Sequence, residues 1–285
     1  MWGFISANSS YEEADTLLVG VPMDFTVSYR PGTRMGPQQI RAVSYGLEEY
    51  SFHSNRDLKD YKYCDLGDIV LPFGNVEKSL EVIEQVARKL AATDKLVIYL
   101  GGEHLISWPL IKVYADKYSD LAVLHFDAHA DLREDYFGET NSHATVMRLV
   151  AEKIGGKNLY QFGIRSGDKT EYEYGQAYTN LFAHQLLEPL KEVVPNLGKR
   201  PVYITLDIDV VDPAFAPGTG TPEPGGCSSK EIIDAILMMK DLNVVGMDLV
   251  EVSPVNDHSD RTAILAAKLV REAILNYSAK QRKSF

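Results

Sequence analysis

The chain has 285 residues, 45% of them hydrophobic and 24% charged, with a formal net charge of −11. That composition is ordinary for a soluble globular protein with a large core, and the negative balance argues against nucleic acid or anionic membrane as the main partner. The cysteines, Cys64 and Cys227, lie far apart without a Cys-x-x-Cys pattern, which excludes a zinc ribbon or dithiol motif and predicts two free thiols in a reducing cytosol.

Residues 16–21, Thr-Leu-Leu-Val-Gly-Val, read as a first strand that Pro22 ends. A Gly/Pro/Arg-rich loop follows at Tyr29–Pro37, either a connection or a rim of a site past a strand end. Pro37 suits the first turn of a helix over Gln38–Glu49. A short strand lies within 61–70. Asn75 then caps a helix over Val76–Ala92 whose Leu80, Ile83, Val86, Ala87 and Leu90 share one face. The strand Lys95–Leu100 runs into Gly101-Gly102-Glu103-His104, and Leu105–Tyr118 reads as a helix. The apolar run Leu121–Leu124 is a buried strand leading to Asp127-Ala128-His129-Ala130-Asp131. A polar loop over 132–142, a helix over His143–Ile154, a strand over Asn158–Ile164 and short helices around 171–188 come next.

Pro201–Leu206 is another buried strand, delivering Asp207-Ile208-Asp209 and then a Pro/Gly-rich loop from Val211 to Pro222. Ser228-Ser229-Lys230-Glu231 is a capping box opening a helix to Lys240. Val244–Val250 is a strand delivering Glu251, and Ser259–Tyr277 is the closing helix. Strands alternate with helices without repeat or linker. The pattern predicts one α/β domain over residues 1–285, its mostly parallel sheet sandwiched by helices. No apolar run of about 18 residues marks a membrane span. The stretch Met1-Trp2-Gly3-Phe4-Ile5-Ser6 lacks a basic n-region and an apolar core, so a cytoplasmic protein is expected.

The chemistry concentrates at strand ends. Asp127, His129 and Asp131 occupy alternate positions, as do Asp207 and Asp209, and an extended backbone points alternate side chains the same way. Open α/β sheets bind ligands at that edge. Each motif alone has an ordinary explanation: a solvated turn for the Asp-rich pieces, a satisfied core histidine for His104, a salt-bridging residue for Glu251, a helix-start residue for His143. Their joint placement after strands does not. Four carboxylates and two imidazoles, with no thiolate, suit hard divalent metals and tilt the choice to Mn²⁺ over Mg²⁺. Six ligands exceed one tetrahedral zinc. They suffice for two ions sharing carboxylates, an arrangement that lowers the pKa of a bridging water and supplies hydroxide at neutral pH.

The set Gly101-Gly102-Glu103-His104, Asp127–Asp131, Ser142-His143, Asp207–Gly220 and Glu251-Val252-Ser253-Pro254 resembles the ureohydrolases, the family of arginase, agmatinase and relatives. The resemblance spans nearly the whole chain. The agmatinase branch looks closest, through Arg30-Pro31-Gly32-Thr33-Arg34, Ser142-His143-Ala144-Thr145 and Gly163-Ile164-Arg165-Ser166-Gly167. Ala130 departs from the family, where many members have Thr, at a position between ligands that points away from them.

The resemblance implies an arginase-like three-layer fold, two Mn²⁺ per chain and release of urea from a guanidino compound. It implies that Asp127 and Asp207 bridge the ions, that His104 and Asp131 complete one site, and that His129 and Asp209 complete the other. By the same resemblance His143 is a proton shuttle and Glu251 the partner of the guanidinium. A guanidinium is a poor, resonance-stabilised electrophile, so hydroxide must be held close to it. Glu251 would hold it by paired charge-assisted hydrogen bonds. Asp131 is a reasonable acceptor for the nucleophile's proton, and His143 would trade protons with solvent near neutral pH.

The loop 132–142 carries Glu134, Asp135 and Glu139 against Arg133, and Asp168 is expected near the mouth. That acidity favours a small dication such as agmatine, with Glu139 and Asp168 among the substrate-binding residues and polyamine synthesis the implied setting. The alternatives are arginase, guanidinobutyrase or formimidoylglutamase activity, and, from other classes, a metal phosphatase or nuclease, a single-zinc deacetylase or an inactive relative. A homo-oligomer, trimer or hexamer, is expected by resemblance alone.

Overall fold

The β-branched and aromatic runs do form strands: β1 (Thr16–Val21), a short hairpin of β2 (Tyr50–Ser51) and β3 (Arg56–Asp57), β4 (Tyr63–Asp68), β5 (Leu96–Gly101), β6 (Ala122–Phe126), β7 (Leu159–Phe162), β8 (Asn180–Phe182), β9 (Pro201–Asp207) and β10 (Asn243–Val250). The computed structural model describes residues 3–278, so Met1 and Trp2 of the N-terminal stretch lie outside it. Among the described residues, eight strands form one sheet in the order β4-β1-β5-β10-β9-β6-β7-β8, parallel at every pairing.

The helices are α1 (Gly36–Ser44), α2 (Val76–Ala91), α3 (Ser107–Lys117), α4 (Val146–Ile154), α5 (Lys169–Tyr178), α6 (Leu187–Leu197), α7 (Ser229–Met238) and α8 (Arg261–Tyr277). On one face α1, α8, α7 and α6 pack side by side; on the other lie α2, α3 and α4. The strands feed both layers by their alternation. Ile98, Leu124 and Ile204 join the core under α8, while Val97, Val123 and Tyr203 join the core under α3. A parallel sheet covered on both faces is the α/β architecture expected, and the central strands are buried end to end. Among the described residues no helix is long and apolar enough to cross a membrane.

Three local departures have physical causes. α1 stops at Ser44, five residues short of the expected end, where Gly46 closes a turn onto Val43. β8, only Asn180–Phe182, is too short to display an alternation and so escaped the sequence pattern. α6 runs past the short helices expected around 171–188, and Pro189 sits in its first turn, where its missing N–H costs nothing.

Candidate metal centre and active site

The segments leaving β5, β6, β9 and β10 meet over the middle of the sheet. Gly102 sets the first of them. A Cβ there would sit 1.9 Å from the carbonyl oxygen of Met23, so only glycine lets the two backbones approach. The next residue, Glu103, is buried and accepts the N–H groups of Phe25 (2.6 Å) and Thr26 (3.1 Å), which pins the β1 exit loop. Burial raises its carboxyl to about 7, against the pull of those hydrogen bonds. His104 then opens a 3-10 turn and is buried.

Its Nδ1 lies 3.0 Å from Asp127 Oδ2, 3.1 Å from Asp131 Oδ2 and 3.4 Å from Asp207 Oδ2. Across the site, His129 Nδ1 lies 3.0 Å from Asp209 Oδ2 and 3.5 Å from Asp127 Oδ1. The six predicted ligands therefore converge, with Asp127 facing both histidines. The route differs from simple alternation. After Asp207 the chain turns into a 3-10 helix over Ile208–Val210, and Asp207 Oδ1 accepts the N–H of Asp209 at 2.8 Å. Asp131 and Glu251 sit at φ 53° and 64°, in a left-handed region that residues other than glycine seldom occupy. Backbone strain at chemically loaded residues fits a site shaped for function.

These carboxylates cannot all be charged side by side. Burial, then the charge of Asp127, pushes Asp131 up to about 7. Burial and the neighbouring Asp209 and Asp127 push Asp207 well above the ordinary range. Burial and Glu103 raise Glu251 to about 8. Burial opposes charge on His104 and His129, yet the surrounding carboxylates raise both well above the ordinary histidine range. Among the described residues, His104 Nδ1 and Asp209 Oδ2 are buried atoms without a hydrogen-bond partner, and a buried polar atom without a partner is costly. Divalent cations would satisfy both atoms and neutralise the cluster. His104, Asp127 and Asp131 fall in one potential metal-holding group, and Asp127, His129 and Asp209 in another.

His125 was not anticipated. It lies in β6, buried, its Nε2 2.8 Å from Asp127 Oδ2 and its Nδ1 3.1 Å from Gln161 Nε2. A polar residue inside the apolar run Leu124-His125-Phe126 was the available signal. Thr205 and Asp248 were missed for the same reason. His104 Nε2 is 2.9 Å from Thr205 Oγ1, which donates to Asp248 Oδ1 at 2.6 Å. With Nε2 protonated toward Thr205, Nδ1 is the nitrogen that faces the site and offers it a lone pair once its proton is lost. Arg165 also acts beyond its motif: it donates to the carbonyls of Asp209, Val210 and Glu223, bracing the loop after Asp209.

A cleft opens above the cluster, and His143, Glu251, Ser28, Arg133, Tyr136 and Glu171 are among its lining residues. His143 begins a 3-10 turn (His143–Thr145) ahead of α4, capped by Ser142. Its ring lies between Thr26 Oγ1 (3.4 Å) and Ser28 Oγ (3.3 Å). Burial lowers it to about 4, which favours the neutral ring. Glu251 Oε1 accepts the N–H of His104 at 2.8 Å, which fixes the carboxyl at the edge of the cluster.

The acidic mouth is built differently from the expectation. Glu139 is exposed and lines a neighbouring groove with Phe25 and Phe137. Asp168 caps α5 and lies 3.3 Å from Arg133. Neither lines the cleft. Glu171, also 3.3 Å from Arg133, does. The rim of the cleft takes Ser28 from the β1 exit loop, and residues 29–37 stay outside its lining.

Residues 14–276 match the model of the Arginase family. The chain is 56% identical to the agmatinase of Bacillus cereus over 277 residues, covering 96% of each protein. It is 53% identical to the agmatinase of Bacillus subtilis with the same coverage. The crystal structure of the agmatine ureohydrolase of Thermoplasma volcanium superposes with a TM-score of 0.91 at 30% identity, covering 100% of this chain and 97% of that one.

Proposed function

The chain belongs to the arginase family, and from that premise we propose that it hydrolyses agmatine to putrescine and urea. It is a hydrolase of a C–N bond in a linear amidine. The observation that carries the reading is the convergence of His104, Asp127, His129, Asp131, Asp207 and Asp209, with two buried atoms lacking partners, beneath a cleft that Glu251 and His143 line. The identity to agmatinases supports the choice of substrate.

Two Mn²⁺ per chain fit the donor set of carboxylate and imidazole. His104 and Asp131 would hold one, His129 and Asp209 the other, with Asp127 and Asp207 shared. Bound there, the pair would supply a water deprotonated at neutral pH. The remaining work falls to the chain. Glu251, fixed through the N–H of His104, pairs with the guanidinium and turns its carbon toward the cluster. Asp131, in the centre of the site, takes the nucleophile's proton and passes it to the leaving amine. His143, also in the cleft lining, would contact the substrate through its neutral ring, accepting or donating a hydrogen bond at Nε2. Arg133 and Glu171 line the cleft, with Asp168 behind Arg133 outside the lining; the carboxylates outnumber the guanidinium there, which suits the free ammonium end of agmatine better than a carboxylate. On the family resemblance we propose a homo-oligomer, trimer or hexamer, and with it a cytoplasmic setting.

The test is urea release from agmatine and arginine, side by side, on Mn²⁺-loaded and chelator-treated protein. Metal-dependent urea from agmatine alone is expected. Urea from arginine would keep the site chemistry and overturn the substrate; urea from neither would overturn the reading.

A further inference from the structure

One level of the sheet below the site is polar where the strands are otherwise apolar. Asp248 pairs with Thr205, Thr205 with His125, and His125 with Gln161 across the adjacent strands β10, β9, β6 and β7. All four residues are buried. By distance, His125 belongs with His104, Asp127 and Asp131 as a possible metal ligand. Its hydrogen bonds point elsewhere. Gln161 Oε1 accepts from Thr179 Oγ1 at 3.0 Å. The carbonyl of Ala130, which can only accept, sets the amide: Gln161 Nε2 faces it at 2.9 Å and also faces His125 Nδ1 at 3.1 Å. An amide N–H can only donate, so His125 Nδ1 must be the acceptor. The ring proton then lies on Nε2, aimed at Asp127 Oδ2 2.8 Å away. With both ring nitrogens engaged, no lone pair is left for an ion.

We propose that His125 is a positioning residue for Asp127, locked by Gln161 in the tautomer that donates from Nε2, and is not itself a metal ligand. The hydrogen bond fixes the Asp127 carboxylate in the orientation that faces both His104 and His129. Gln161 also takes the carbonyl of Ala130, the residue before Asp131, so one amide braces both ends of the Asp127–Asp131 segment. The inference rests on the metal-centre reading above.

The experiment titrates Mn²⁺ into metal-free wild type, His125→Gln, His125→Leu, Gln161→Leu and His125→Gln/Gln161→Leu, following stoichiometry and affinity by calorimetry and metal analysis. A glutamine places its amide nitrogen near the position of Nε2 and keeps the donor, so His125→Gln should retain the wild-type number of ions with affinity within a few-fold. His125→Leu should keep the number at saturation but bind roughly 10–100-fold more weakly. Gln161→Leu should weaken binding about tenfold in wild type and clearly less in His125→Gln, which lacks the Nδ1 that Gln161 holds and leaves its amide the Ala130 carbonyl. Loss of one ion in His125→Gln would make His125 a ligand and overturn the proposal. Equal weakening by Gln161→Leu in both backgrounds would place its effect at Ala130 and overturn the lock. Wild type that binds no Mn²⁺ would sink the metal centre itself, a distinct failure. Should His125→Leu not fold, the comparison of Gln161→Leu in the two backgrounds still decides.

Discussion

Asp209 Oδ2 lies 3.0 Å from His129 Nδ1, buried, yet no hydrogen-bond donor among the described residues is aligned on it. The other carboxyl oxygen, Oδ1, is spoken for, accepting the N–H of Ala128 at 3.0 Å. The side chain is thus anchored on one oxygen and leaves the second for something the chain does not provide. His104 shows the same division, with Nε2 tied to Thr205 and Nδ1 open. Anchoring one atom of a ligand while leaving its neighbour free is how a protein prepares metal coordination.

Removing a shared carboxylate should therefore empty the centre. Asp127→Ala and Asp207→Ala are each expected to lose bound metal and urea release together, while the metal-free protein still folds. Metal analysis and urea release on the same samples check this. Full metal content with retained activity would falsify the ligand assignment.

Metal loading should also release protons. In the metal-free site burial and Asp127 hold the Asp131 carboxyl up at about 7. Carboxylates hold His104 and His129 protonated well above their ordinary range. Each must give up its proton to coordinate. Below the raised pKa values the protons compete, so apparent affinity should fall as pH drops through about 7, and Mn²⁺ added to weakly buffered protein should acidify it. Calorimetry in buffers of different ionisation enthalpy counts the protons. An affinity flat between about pH 6 and 8 would contradict the linkage.

Much of this centre was legible in the chain because the proposed ligands follow apolar runs that end abruptly. Asp127, Asp207 and Glu251 each stand at or just past the end of a strand whose other residues had to be buried. What lay inside those runs was not legible. His125, Thr205 and Asp248 break the pattern singly, and a single polar residue in a strand does not say which neighbour it meets. Their meaning comes from register between strands far apart in sequence. The mouth was harder to read for a related reason. Glu139 and Asp168 were read by charge, but Asp168 is engaged by its own helix cap and Glu139 faces a different groove.

Thr205 offers a test of the buried row. Its hydroxyl takes the Nε2 proton of His104 and donates to Asp248. Thr205→Val keeps the volume and removes both bonds, leaving His104 Nε2 and Asp248 Oδ1 short of partners. The expected cost is about 1–3 kcal/mol in the unfolding of metal-free protein, together with roughly 10–100-fold weaker Mn²⁺ binding. Denaturant titration and calorimetry measure the two separately. Lost stability with unchanged affinity would confine Thr205 to packing.

His143 separates substrate handling from metal binding. It lines the cleft, and its ring contacts Thr26 and Ser28 while no ligand carboxylate is its hydrogen-bond partner. His143→Ala should therefore keep the wild-type metal content and lose roughly 10–100-fold in kcat/KM through the missing hydrogen bond, unlike Asp127→Ala, which should lose metal as well. The same residue leaves a mark on acid stability. Burial lowers its pKa from 6.5 to about 4, so between those values the unfolded chain binds a proton that the native chain refuses. Its contribution is fully present above the unfolded value and is lost as pH falls toward about 4. His143→Ala should flatten that part of the stability profile of the metal-free protein. A variant that loses metal along with activity would show that His143 belongs to the ligand set.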